Sequence, residues 1–152
     1  MKKPALETVS LIPWVGKTAK FMDYYIRDNM KSHGISLSKE QFIVLKHLDD
    51  KDGRIQNDLA FITNRSKTAL TRLIQTMEKK GYVSRSVSEK DMRINHVYLT
   101  ALGKETWAKS YPLFLEVIHE LQKGISNEDL ENAKNVMKQI QANINLKTKI
   151  NQ

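Results

Sequence analysis

Five side chains, Lys67, Thr68, Thr71, Arg72 and Gln75, fall one, four, five and eight residues from the first of them. At 3.6 residues per turn they share one face of a helix. Arginine bonds bidentately to guanine, glutamine to adenine, and a threonine methyl can touch that of thymine. Lysine and hydroxyl groups also serve phosphates, which position a protein on a duplex without specifying sequence. Just before this face, Ser66 and Asn64 read as helix-cap residues with a group left to donate to a phosphate. Further on, Lys90 and Arg93 stand in a polar loop with Asp91 between them. An arginine at such a tip can enter the minor groove, where a narrow groove strengthens the negative potential. A carboxylate there would be repelled, so Asp91 is expected to hold the loop's shape by pairing with an arginine, Arg93 or one from the partner helix. The chemistry these types and spacings can do is recognition of a duplex.

The elements around them are those that could present such groups. Leu70, Leu73, Ile74 and Met77 form one apolar stripe, so a helix is predicted over residues 66–80, with Gly81 in the left-handed capping position. Two β-branched and aromatic runs, 82–87 and 95–99, flank the loop and predict a hairpin with a basic tip. A groove-sized helix followed by a basic hairpin is the layout of a winged helix-turn-helix. Upstream, Leu11, Val15, Thr18, Met22 and Tyr25 or Ile26 predict a helix from about 10 to 31, ended by Gly34. Ser38 with Gln41 fits a capping box, opening a helix with Phe42, Leu45 and Leu48 inward. Asp49 to Gly53 reads as a polar turn, and a short helix over 56–63 buries Ile55, Leu59 and Ile62. Arg54 and Gln56 could meet the DNA backbone at its start, whereas Arg85, within a strand, is expected in an internal salt bridge.

Beyond the hairpin, a helix is expected from about Ala101 to Lys123, kinked or split by Pro112. Ser126 then caps a last helix with Glu128 and Asp129 in its first turn. Leu130, Ala133, Met137, Ile140 and Ile144 alternate three and four apart, which is a seam pattern that needs a partner surface. A second copy of the chain is the expected partner, giving a homodimer. The expected fold class is mainly α with a small β-hairpin wing. Residues 1–33 and 101–152 would form a helical dimerisation region and 35–100 the winged helix-turn-helix, in one compact protomer.

Composition narrows the function classes. A chain of 152 residues with 40% apolar content can bury one core. Residues 54–99 hold nine basic against four acidic side chains, five of the net +8 charge, as a phosphate footprint requires. No cysteine is present, which excludes disulfides and thiol chemistry. No apolar run is long enough to span a membrane, and Glu7, Ser10 and Lys17 interrupt any signal-like core, so a cytoplasmic location is expected. Gly16-Lys17-Thr18 imitates a phosphate-binding loop, but Leu11 occupies the position of its first glycine. His119-Glu120 imitates a zinc-protease motif whose second histidine would be Lys123. No grouping suggests catalysis, so no enzyme, cofactor or resident metal is expected. A metal-responsive regulator built on His33, Glu40 and His119 is one alternative. A winged-helix protein-interaction module without a DNA site is another.

Four pieces of the chain carry a family resemblance. Gln56-Asn57-Asp58-Leu59-Ala60, Thr71-Arg72 with Met77 to Val83 and Arg85, Asp91-Met92-Arg93, and Leu99-Thr100-Ala101-Leu102-Gly103 occur in order. Together they resemble the MarR family of winged helix-turn-helix regulators. Asp58 stands where glutamate is commoner, and Met92 departs from the wing's Asp-Arg-Arg, removing one arginine and weakening backbone contact. The resemblance implies a dimer built from the terminal helices, two wings on successive turns of a pseudo-palindromic operator, and repression relieved by a small, often anionic aromatic ligand. Trp14, Lys17, Phe21, Tyr24 and Tyr25 on the first helix, with Trp107 and Tyr111 on the fifth, could line such a pocket. An aromatic stripe at helical spacing is otherwise core.

Overall fold

In a computed structural model of the chain, residues 5–148 are described. They fall into two compact units that divide between Val117 and Ile118. The first unit opens with a single turn, α1 (Leu6–Val9), and a long helix, α2 (Ile12–Ser32). Pro13 lies in the first turn of α2, where its missing N–H costs nothing. Gly34, at φ +74°, ends the helix, and the N–H groups of Gly34 and Ile35 donate to the carbonyls of Lys31 and Met30. The apolar stripe expected along α2 is not core. Leu11, Val15, Met22 and Tyr25 are each more than two-fifths exposed, and Met30 alone on this helix is buried.

The winged region is built on α3 (Lys39–Asp50), α4 (Gln56–Ile62) and α5 (Lys67–Lys79). Ser38 and Gln41 form the reciprocal capping box that starts α3. Val44, Leu45, Leu48, Leu59, Leu70, Ile74 and Met77 are wholly buried where the three helices meet, and Phe42, Trp107 and Phe114 close the cluster. Strands β2 (Val83–Val87) and β3 (Asn95–Leu99) pair antiparallel, with Arg85 opposite Val97. A third strand, β1 (Arg54–Ile55), adds to the other edge of β3, so the sheet order is β1-β3-β2. Two residues carry no period-2 signal, and β1 exists only because β3 comes alongside.

Helix α6 (Ala101–Leu121) runs unbroken through Pro112. A proline in a helix interior costs about 3 kcal/mol. Trp107 and Ser110 before it and Val117 after it are buried, and this packing keeps both halves in one helix. The second unit holds the end of α6, a turn at Gly124 (φ +79°) and α7 (Asn127–Thr148). Ser126 accepts the N–H of Asp129 at 3.1 Å, capping α7 as its sequence requires. Along α7, Leu130, Met137 and Ile140 are half-buried, while Ala133 and Ile144 are exposed. Among the described residues no helix is long and apolar enough to cross a membrane.

Candidate nucleic-acid interface

Helix α5 divides along its length into a buried and an open face. Leu70, Ile74 and Met77 are fully buried, with Leu73 packed beside them. Ser66 starts the helix by accepting the N–H of Ala69 at 3.2 Å, which leaves its own proton to donate outward. Asn64 serves the preceding helix instead. It adopts φ +53°, and the N–H of Arg65 reaches back to the carbonyl of Ala60, closing α4. Lys67, Thr68, Arg72 and Gln75 are exposed, and among the described residues none of their side chains has a partner. They span about 12 Å of helix axis, the width of a B-DNA major groove.

Thr71 is set apart from these four. It is half-buried, its hydroxyl donates to the carbonyl of Lys67 at 2.8 Å, and it accepts the Gln56 side-chain amide at 2.9 Å. Both residues are therefore occupied in holding α4 against α5. Arg54 is likewise engaged, donating through Nε to the His47 carbonyl at 2.8 Å. Burial, with Lys46 and Arg54 nearby, pushes the His47 imidazole below its ordinary value. Arg65, at the α4–α5 turn, pairs with Glu40 at 3.3 Å. Backbone hydrogen bonding, then Ser38 and Arg65, hold Glu40 below the usual carboxylate range, outweighing its partial burial.

The hairpin is fastened at both ends. Gly81 takes φ +75°, and the N–H groups of Gly81 and Tyr82 return to the carbonyls of Glu78 and Met77, so α5 stops and β2 starts within three residues. Arg85 makes the expected internal salt bridge, to Glu78 at 2.7 Å. Asp52, not anticipated from sequence, accepts the N–H of Leu99 at 2.8 Å and of Gly53 at 3.0 Å. The Asp-Gly pair signals a turn, but its partner lies 47 residues on, beyond any local pattern. At the tip, Asp91 accepts the backbone N–H of Arg93 at 2.9 Å, and its carbonyl accepts that of Ile94 at 2.9 Å. Asp91 thus shapes the loop through backbone and not through a guanidinium. Lys90 and Arg93 are exposed, and among the described residues their side chains are unpaired.

This arrangement is an electrostatic and hydrogen-bonding surface: a helix with free donors, then a stiffened loop carrying two free cations. Residues 33–94 match the model of the MarR family. Over 95 residues the chain is 32% identical to the transcriptional regulator HosA of Escherichia coli O111:H-, covering 62% of this chain and 70% of that protein. The chain belongs to the MarR family. Its fold agrees with solved MarR-family structures. A mutant MarR from E. coli complexed with operator DNA superposes with a TM-score of 0.81 at 19% identity, covering 91% of this chain and 99% of that one. The MepR–DNA complex of S. aureus gives 0.80 at 21%, covering 88% and 98%. These likenesses establish a winged-helix architecture of MarR type.

None of the residues expected to line an effector pocket lines the cavity described in this protomer. Trp107 is buried in the core, its ring 5.0 Å from those of Phe42 and Tyr111. Trp14, Phe21 and Tyr24 are more than half exposed and Tyr25 is 41% exposed, with Lys17 over the Phe21 ring. A cavity of about 660 Å³ lies instead between the second half of α2, the loop to α3 and Lys80. Ile26, Ile35 and Leu37 give it an apolar lining, and Arg27 and Lys31 are cations without a partner among the described residues. Among the described residues no group of three histidines or carboxylates converges to hold a metal. His33 is instead bonded to the Asn29 carbonyl.

Proposed function

We propose that this MarR-family regulator is a homodimeric, ligand-responsive repressor that binds a pseudo-palindromic operator in double-stranded DNA. The observation that carries the reading is α5, whose Leu70, Ile74 and Met77 are wholly buried while Lys67, Thr68, Arg72 and Gln75 stand free, followed by a hairpin whose tip exposes Lys90 and Arg93. In this reading α5 lies in the major groove with Ser66 on a phosphate, and the wing reaches the flanking minor groove. Thr71 contributes at most its methyl, since its hydroxyl is committed within the fold. Replacing Arg72 by alanine is expected to cost about 1–3 kcal/mol per half-site contact and to relax preference at one base pair. A loss uniform across sequences would make Arg72 a phosphate contact.

The dimer is supported by the apolar surface left on α2 and α7, where Trp14, Phe21 and Tyr24 exceed half exposure and Ile144 is 46% exposed. Two-fold symmetry on B-DNA then requires half-sites about 34–36 Å apart. Met137→Glu would bury a charge in the α7 seam, so sedimentation should find monomers at micromolar concentration, with operator affinity lost in parallel. A dimer that survives would remove α7 from the interface. For the ligand, the cavity beside Arg27 and Lys31 suits a small anion with an apolar body. It lies between a helix of the dimer surface and the start of α3, so filling it would bias how the winged region sits on DNA.

The test is an anisotropy titration with DNA from immediately upstream of the protein's own coding region, against scrambled competitor, over a range of salt. Tight, competitor-resistant binding that falls with a slope near −0.9 per neutralised phosphate is the expected result. Binding equal for scrambled DNA would overturn the reading. Adding aromatic carboxylates to the preformed complex tests ligand response through release of DNA.

A further inference from the structure

Met92 is 85% exposed, at the apex of the wing. Of the other apolar side chains of the hairpin, Val83, Val97 and Leu99 are buried, while Val87 is 51% and Tyr98 40% exposed, so Met92 is the barest of them. The apex is not a loose end. The Ser88 N–H donates to the Ile94 carbonyl at 2.8 Å, and Asp91 receives the N–H groups of both Arg93 and Ile94. The Arg93 bond turns the Asp91 carboxylate back on its own loop, and the Ile94 bond closes the turn through the Asp91 carbonyl. What remains foremost is a thioether, with Arg93 next to it and Lys90 two residues before.

We infer that Met92 is a specificity-determining residue, an apolar probe that enters the minor groove with Arg93 and selects an easily deformed base step there. The inference rests on the operator-binding reading above. Two cations draw the tip to a duplex, and the cation that enters a groove brings its neighbour with it. Groove walls are the apolar edges of deoxyribose, and a thioether on an unbranched chain adapts to them. Methionine is also among the side chains that wedge between base pairs, and the opening this needs is easiest at pyrimidine–purine steps such as TA and CA. Such a contact adds sequence preference without neutralising phosphate. It therefore leaves a signature separate from that of Arg93.

The experiment is selection from an operator with randomised flanks, followed by anisotropy titrations over salt, on the full-length protein and its Met92→Ala and Met92→Arg variants. The expected result is a wild-type preference for a pyrimidine–purine step at the wing position, flattened in Met92→Ala. That variant should bind the preferred operator about 5- to 10-fold more weakly with an unchanged salt slope. Met92→Arg should steepen the slope by about 0.9 per wing and move preference toward narrow A-tracts. The side chain is 85% exposed, so both variants should melt with the wild type. Unchanged affinity and flank preference in Met92→Ala would overturn the inference, as would a loss accompanied by a shallower slope. If the wild type itself fails to distinguish operator from scrambled DNA, the operator-binding reading has failed, and the inference with it.

Discussion

Arg93→Ala is expected to weaken operator binding by about 30- to 800-fold, because a dimer loses the contact twice and each charge-assisted bond contributes about 1–2 kcal/mol net. The loss should be larger at low salt. The slope of log affinity against log salt should become shallower by about 0.9 for each wing that no longer neutralises phosphate. Folding should not suffer. The Arg93 backbone N–H, not its guanidinium, is what Asp91 holds, and that bond survives in the variant. Anisotropy over a range of salt, with circular dichroism to show an unchanged melt, separates these effects. An affinity within twofold of wild type would remove the wing from the mechanism.

Gly103→Ala should be the most destabilising single methyl in the molecule. A Cβ at this position would stand 2.0 Å from the Tyr82 carbonyl oxygen and 3.0 Å from its carbon, both backbone atoms, and 3.3 Å from a Leu99 methyl. The Tyr82 backbone cannot rotate away. Relief requires drawing the start of α6 off the hairpin root, where the Thr100 N–H donates to the Tyr82 carbonyl and the Thr100 hydroxyl to that of Gly81. The expected loss is about 3 kcal/mol, against the roughly 1 kcal/mol that alanine normally adds to a helix. For a chain of this size that lowers the melting temperature by about 6–12 °C. Gly16 is the control, since a Cβ there meets nothing within 4 Å and alanine should raise the melt slightly. A Gly103→Ala protein melting within about 2 °C of wild type would mean the approach is not as tight as the geometry states.

Periodicity and punctuation made much of this molecule legible. The stripe of Leu70, Ile74 and Met77, the capping box of Ser38 and Gln41, and the glycines at 34 and 81 are local devices, each acting within about one helical turn. They define where α2, α3 and α5 begin and end whatever the rest of the chain does. The same locality placed Lys67, Thr68, Arg72 and Gln75 on one face and Arg93 in a hairpin loop. Thr71 shared that face by spacing, yet its hydroxyl meets Gln56 fifteen residues away. No pattern in either segment announces a contact of that range.

Sequence by itself therefore determined the identity and order of helices α2 to α7 and of the hairpin, the surplus of positive charge between residues 54 and 99, and the candidates for touching a duplex. Tertiary structure decided which of those residues remain free. It added β1 to the sheet, drew Arg54 and Arg65 into internal bonds, packed Trp107 into the core, and left Met92 bare at the wing's apex. The physical reason is range. Helix caps and amphipathic stripes are written within a few residues, whereas an ion pair, a close approach of backbones or an exposed tip depends on which distant segment folds alongside.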